Sequence, residues 1–263
     1  MCRPSHYHVN YVINPWMAPN VGRVNSQLAM KQWNTLHEII STYATVEVIE
    51  QVDGLPDMVF TANAGLCIPQ QNLVVTSVFS KSQRTPEQQV FYDWFASRKM
   101  SMVSFNDKDC FFEGAGDALI DDKNQYWMGH GQRSSLHAID VIQCAFPNIR
   151  CFPLALVTPE FYHLDTCFCP LSGGEAIVHE KAFGFASYAT ILEHIGDVIL
   201  VTDDDAERFA CNAVEIDRNI IVNEISDNLK QQLKDRGYNP ITVDLSEFIK
   251  AGGAAKCLTL QLN

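Results

Sequence analysis

The chain of 263 residues contains no run of about 18 apolar residues, so no segment is suited to cross a bilayer as a helix. It is short of positive charge: 19 Lys and Arg stand against 31 Asp and Glu, a formal net charge of −12. That balance argues against a nucleic-acid or anionic-membrane partner and suits a small cationic substrate. The nine cysteines include no C-x-x-C pair, and the closest spacing is Cys167-Phe168-Cys169. This pattern speaks against a disulfide framework or a zinc ribbon and for reduced thiols in a cytoplasmic protein. Most of these cysteines read as small buried hydrophobes. The polar start Met1-Cys2-Arg3-Pro4-Ser5-His6 has no signal-peptide pattern. No low-complexity stretch or linker divides the chain, so one domain over residues 1–263 is expected, and a homo-oligomer stays open.

What is present is ample apolar material, 47% of residues, in alternating helical and extended patterns. Leu28, Trp33, Leu36, Ile39 and Ile40 predict a helix over 26–43, followed by a strand over 45–49 and a turn at Asp53-Gly54-Leu55-Pro56. Val74 to Val78 reads as a strand. Thr85-Pro86-Glu87-Gln88 reads as a helix start with Thr85 as cap, leading to Phe91, Trp94 and Phe95. Further helices are expected over 134–144, 187–195, after Asp204, and from the Ser226 cap to Gly237, with strands at 198–201 and 220–222. About five helix-plus-strand units result. No G-x-G-x-x-G follows the first strand, so a Rossmann-like sheet lacks its phosphate loop. Periodicity leaves that sheet and a circular array of small α/β units both open.

Several segments carry chemistry. Cys257 follows Gly252-Gly253-Ala254-Ala255-Lys256, small residues that permit close backbone approach. Lys256 or an imidazolium beside the thiol would raise its thiolate fraction. His163-Leu164-Asp165 puts an acid–base group and a carboxylate on one face if extended. Glu113-Gly114-Ala115-Gly116-Asp117 sets two carboxylates around a tight bend between apolar flanks, so both need partners. Asp57 to Gly65 reads as an apolar strand entering a small-residue bend; there Phe60 offers a face for a flat cation and Asn63 both a donor and an acceptor. Arg133 with the amides of a helix start forms a carboxylate site. Asn14-Pro15-Trp16-Met17 reads as a loop near a strand end.

Taken in this order, the motifs from Val12-Ile13-Asn14-Pro15 to Cys257 resemble the guanidine-modifying superfamily of arginine deiminases, dimethylarginine hydrolases, amidinotransferases and arginine dihydrolases. The resemblance implies a five-bladed α/β propeller, the pentein fold, of ββαβ-like units. It implies Cys257 as nucleophile, His163 as acid and base, and Glu113 as the acid of a Glu-Gly-Gly-Asp motif, here Glu-Gly-Ala-Gly-Asp. It implies Asp165, Asn63, Arg133, Phe60, Asn14 and Asp117 as substrate-binding residues. Asn63 departs from the deiminases, which carry Asp there. Asp165 departs from the dimethylarginine hydrolases and favours an unmethylated guanidinium. An amide at 63 can hold a ureido group as well as a guanidinium, and Thr61-Ala62-Asn63-Ala64-Gly65 is similar to the arginine dihydrolases. The implied activity is cysteine-dependent hydrolysis of arginine to ornithine, ammonia and carbon dioxide through a thiouronium intermediate, with no metal or organic cofactor. The alternatives are dimethylarginine hydrolysis, amidino transfer to an amine, and a non-catalytic propeller.

Overall fold

The computed structural model describes residues 1–68, 71–105, 107 and 110–262. Apolar runs too long for one-sided strands find their explanation in sheets buried on both faces. The chain opens with β1 (Cys2–Arg3), crosses by α1 (Ser26–Ser41) and returns parallel to it as β2 (Ile49–Glu50). Four units then follow one plan: an antiparallel hairpin, a helix, and a third strand parallel to the middle one. These are β3 (Gly65–Ile68), β4 (Leu73–Thr76), α2 (Glu87–Ser97) and β5 (Ser101–Val103); β6 (Ala118–Ile120), β7 (Gln125–His130), α3 (Leu136–Ala145) and β8 (Arg150–Ala155). Next come β9 (Phe168–Pro170), β10 (Glu175–Val178), α4 (Phe185–His194) and β11 (Asp197–Leu200); then, after the short α5 (Asp203–Glu207), β12 (Val214–Ile216), β13 (Asn219–Val222), α6 (Asp227–Asp235) and β14 (Asn239–Thr242). The chain closes with α7 (Ser246–Ile249) and an irregular tail.

Alternation along the strands assigns side chains to two neighbouring cores. Leu66 and Val75 enter one apolar cluster while Cys67 and Val74 enter another. Ala118 and Met128 share the first of these with Leu66, whereas Leu119 and Trp127 join Phe168 and Val178. Ile177 then packs with Ile220 and Val222, and Ile221 with Trp33, Leu36 and Phe248. The fifth cluster brings Cys2 against Cys67, Phe91 and Phe95. Five clusters thus join the five units in cyclic order, each holding one helix face. Phe91 and Phe95 come from α2, Ile139 and Ile142 from α3, Leu229 and Leu233 from α6. Left-handed residues turn the hairpins: Asn124 (φ 57) between β6 and β7, and the consecutive pair Asp217 and Arg218 (φ 50 and 62) between β12 and β13.

Local readings shift where tertiary contacts outweigh pattern. Of the expected 45–49 strand only Ile49 is paired, in β2 together with Glu50. Residues 57–65 form two 3₁₀ turns, Pro56–Val59 and Thr61–Ala64, instead of a strand running into a bend. Pro86, not Thr85, takes the cap position of α2 and makes no side-chain cap; Arg84 and Glu87 pair across that turn instead. The cap of α3 is Ser135, and Leu136 is 48% exposed although it keeps the apolar spacing. Thr202, not Asp204, caps α5. Ser226 caps α6 as expected, donated to by Leu229 N–H. No helix among the described residues is long and apolar enough to cross a membrane. All nine cysteines are free.

Candidate active site

Five turns meet at the site, each just ahead of a sheet's first strand or, for the last, ahead of Leu260. They close into a ring of hydrogen bonds. Asn63 Nδ2 donates to the Glu113 carbonyl (3.1 Å) and Leu164 N–H to Asp117 Oδ1 (3.0 Å). Asn212 Nδ2 donates to the Asp165 carbonyl (3.0 Å), Lys256 N–H to the Asn212 carbonyl (3.2 Å), and Ala62 N–H to the Cys257 carbonyl (3.1 Å). Glycine admits this crowding. Gly114 takes φ +64, and a Cβ there would sit 2.8 Å from the Ala62 carbonyl; a Cβ on Gly253 would sit 2.5 Å from Phe60 Cε1.

On one side Glu113, fully buried, is surrounded by donors. Its Oε1 accepts from the Ser80 hydroxyl (2.8 Å) and N–H (3.1 Å), its Oε2 from Arg133 Nη1 (3.0 Å) and His163 Nε2 (2.8 Å). Burial pushes the Glu113 carboxyl up, but Arg133, the His163 contact and Arg84 together hold it well below the usual carboxylate range. With Nε2 committed to Glu113, Nδ1 is the ring nitrogen of His163 left for other partners. Arg133 also donates to the Ile13 carbonyl (3.1 Å), and its guanidinium stacks 4.5 Å from the Tyr162 ring.

Arg84 is a second buried cation. It makes a two-point pair with Glu87 (3.0 and 2.8 Å) and donates to the Asp57 carbonyl (3.2 Å) and to Asn63 Oδ1 (2.7 Å). Asn63 is therefore oriented unambiguously: a donor-only group faces its oxygen and a carbonyl faces its nitrogen. Burial pushes the Glu87 carboxyl up to about 7 against the opposing pull of Arg84. Asp57 accepts from the Tyr11 hydroxyl through Oδ2 (2.8 Å), while its buried Oδ1 has no partner. Burial raises its pKa, more than Arg84 lowers it.

The side around Cys257 has no such cation. Sγ lies 3.2 Å from Asp165 Oδ2 and 3.0 Å from Asn212 Nδ2. Asp165 Oδ1 is buried without a partner. Burial pushes Asp165 up to about 7; burial, then the neighbouring Asp165, pushes the Cys257 thiol well above its ordinary value. These neighbours therefore favour the protonated thiol. The expected activating groups are turned elsewhere: His163 Nε2 faces Glu113, and Lys256 lines a different cavity, of about 1010 Å³, with Thr61 and Ala115, from where its charge pulls Asp165 down.

A small cavity gathers most of the expected residues: Asn14, Phe60, Asn63, Arg133, His163 and Cys257. Glu113 and Asp165 sit directly behind His163 and Cys257. Asp117 does not bind substrate from here. Both its oxygens are spent, on the Ser134 hydroxyl (2.6 Å) and Leu164 N–H (3.0 Å), so it ties two turns together. Asn14 lines the cavity with its amide committed to the Ala251 carbonyl and Met17 N–H. Of the α3 amides expected beside Arg133, that of Ala138 is taken up by the Ser135 side-chain cap. His163 and Asp165 converge through a 3₁₀ turn, Leu164–Thr166, not through strand alternation. Four residues of the site escape the sequence reading: Arg84, Asp57, Tyr162 and Asn212. The Arg84 to Glu87 spacing at a helix start was the one legible signal among them. No group of three or more His, Cys, Asp or Glu among the described residues is placed to hold a metal ion.

The family model "N,N dimethylarginine dimethylhydrolase, eukaryotic" matches residues 10–263. The bifunctional arginine dihydrolase/ornithine cyclodeaminase ArgZ of Synechocystis is 43% identical over 265 residues, covering 100% of this chain and 37% of the relative. The chain thus spans well under half of that relative's length. The N(G),N(G)-dimethylarginine dimethylaminohydrolase of Mycobacterium tuberculosis is 33% identical, covering 100% of this chain and 85% of the relative. The crystal structure of the N-terminal domain of ArgZ bound to product superposes with a TM-score of 0.97 at 42% identity, covering 100% of this chain and 96% of that one. The motifs that resemble the guanidine-modifying superfamily are those of a member: the chain belongs to the N,N-dimethylarginine dimethylhydrolase family.

Proposed function

We propose that this chain is a cysteine-dependent hydrolase of the guanidino group of L-arginine that carries the substrate through two hydrolyses to ornithine, carbon dioxide and two ammonia. The observation that carries the reading is the buried, unpartnered Asp165 Oδ1 beside the Cys257 sulfur. A carboxylate there lacks a cation with N–H donors, and a guanidinium supplies both. Asp57 Oδ1 is a second buried orphan, suited to an α-ammonium, and Arg84 and Arg133 offer positive charge to an α-carboxylate in the same cavity. An amino acid with a cationic side chain matches all three.

Burial raises both Asp165 and Cys257, and entry of the guanidinium opposes that rise; the thiol proton passes to His163 Nδ1 and the thiolate attacks the central carbon. A C–S bond forms. The C–N bond breaks as ammonia leaves with a proton from His163 Nδ1, giving a thiouronium. His163 next takes a proton from water, whose oxygen adds to carbon and releases Cys257, giving citrulline. Asn63 favours a second round. Its oxygen is held by Arg84, so what it offers the cavity is its second N–H, which can donate to a ureido oxygen but not to a guanidinium. The five cyclically joined units act as blades of a propeller with the site on its axis, in one catalytic domain of a cytoplasmic enzyme.

The test is purified protein with L-arginine, following citrulline, ornithine and ammonia over time, with dimethylarginine in parallel. Ornithine with two ammonia per arginine supports the proposal. Dimethylamine from dimethylarginine with inert arginine overturns it in favour of the activity that names the family. Asn63→Asp is expected to stop the reaction at citrulline; ornithine formed at the original rate would remove Asn63 from the argument.

A further inference from the structure

Asn212 lies in the turn before β12, is fully buried, and spends every hydrogen-bonding position of its amide. Oδ1 accepts the backbone N–H of Ala254 (3.0 Å) and of Cys257 (3.1 Å). Nδ2 donates to the Asp165 carbonyl (3.0 Å) and points its other hydrogen at Cys257 Sγ (3.0 Å). Two N–H groups on the oxygen and a carbonyl on the nitrogen exclude the flipped amide. The N–H aimed at the sulfur therefore cannot turn away.

We propose that Asn212 is the donor that holds the Cys257 sulfur as a thiolate and fixes its line of attack. The inference rests on Cys257 being the nucleophile. The sulfur sits between opposite influences. Asp165 accepts from the neutral thiol and disfavours ionisation; Asn212 donates, and a donated hydrogen bond is stronger to a thiolate than to a thiol. Once a cation occupies Asp165, the donor at Asn212 has the charged sulfur to itself. The same amide clamps the backbone at 254 and 257, so the sulfur is set by the group that stabilises its charge. The titratable groups around it are Asp165 and Tyr162, with His163, Asp57, Arg84 and Arg133 lining the same cavity and Lys256 acting on Asp165.

The test is Asn212→Asp, which keeps an oxygen for the two backbone N–H groups and replaces the donor to sulfur by an acceptor. Alkylation of Cys257 by iodoacetamide is followed across pH by mass spectrometry of its peptide, alongside arginine turnover. The expected result is an alkylation profile moved to higher pH and kcat lowered about 10- to 100-fold, with a smaller change in KM. A cooperative fold with unchanged profile and unchanged kcat overturns the proposal, since a merely structural Asn212 would lower thermal stability alone. Should the variant fail to fold, side-chain amide NMR of the ¹⁵N-asparagine-labelled native chain decides. One Nδ2 pair is expected to shift as Cys257 ionises and to stop doing so in Cys257→Ala; no such pair overturns it. Alkylation does not depend on arginine as substrate, so it separates failure of this inference from failure of the arginine reading.

Discussion

The two sides of one cavity follow opposite electrostatic plans. Around Glu113 the charges arrive already matched: Arg133, His163 and Ser80 surround the carboxylate, which stays ionised although fully buried. Around Cys257 the acids have no resident cation. Asp165 and the thiol share a proton between them, and both titrate above their ordinary values. Glu113 stays charged because two donors converge on one of its oxygens, whereas Asp165, with no cation in hydrogen-bonding contact, is pushed towards its protonated form by burial. In the function proposed above, the matched side serves as scaffold and proton relay and the unmatched side receives the substrate's positive charge.

The most severe way to break this comparison is Cys257→Ser. Arginine turnover is expected to fall by about 10⁴-fold or more with the melting temperature retained, because the hydroxyl is a far weaker nucleophile in the same space. A steady-state assay beside a thermal melt checks it, and full activity would remove Cys257 from the mechanism.

Next is Glu113→Gln, which leaves Arg133 without its counter-charge. A loss of about 3 kcal/mol or more in denaturant unfolding is expected, with lowered turnover, since breaking a buried pair strands the remaining ion. Its pH signature is one-sided. The folded pKa of Glu113 lies below the unfolded value of about 4.5, so its contribution is present above that pH and is lost on acidification. The variant is expected to flatten the acid limb of the stability curve.

Asp165→Asn acts on the other side and in the other direction. A carboxyl whose folded pKa is raised to about 7 takes up a proton on folding. Its contribution is therefore full below the unfolded value of about 3.9 and is lost as pH rises towards 7. In the ligand-free wild type, melting temperature is expected to fall over that window; the asparagine variant is expected to flatten the fall. Alkylation of Cys257 moves to lower pH in the variant, and KM for arginine rises about 10- to 100-fold as a charged hydrogen bond is lost. A melting curve that falls identically in both proteins would refute the assignment of the unmatched side to Asp165.

The smallest effect is expected from Gly253→Ala. The added methyl meets the Phe60 ring at 2.5 Å, so ring or backbone must shift, at about 1–3 kcal/mol in stability. A melt together with KM for arginine reads whether the shift reaches the cavity.

Most of the site was legible because its residues are chemically conspicuous in sequence. Cys257 after two glycines, His163 with Asp165, and Glu113 at a glycine bend all demand unusual surroundings wherever they fold. Asp117 looked equivalent to Glu113 and is not: Ser134 and Leu164 consume it, and nothing in a local pattern reveals which of two carboxylates will meet a cation. Asn212, and Arg84 apart from its spacing to Glu87, were missed for the converse reason. An arginine before a helix and an asparagine before a strand are ordinary in sequence; their partners lie 21 and 45 residues away. The fold shows the same division. Ser226 and Gly237 bound α6 by local chemistry, as read, whereas residues 57–65 were read as a strand running into a bend and instead turn twice, with the Asp57 carbonyl held by Arg84 and the Asn63 side chain by the Glu113 carbonyl, both from outside the segment.

Sequence alone determined the apolar spacing of most helices, the Ser226 and Gly237 boundaries of α6 and the kinds of chemical group available. Those follow from side-chain shape, polarity and backbone freedom, which act over a few residues. Tertiary structure decided which groups share a cavity, which acid meets a cation, and how each amide is oriented. Those depend on five turns, widely spaced along the chain, closing into one hydrogen-bonded ring, and a charge in a buried site takes its character from neighbours that only closure supplies.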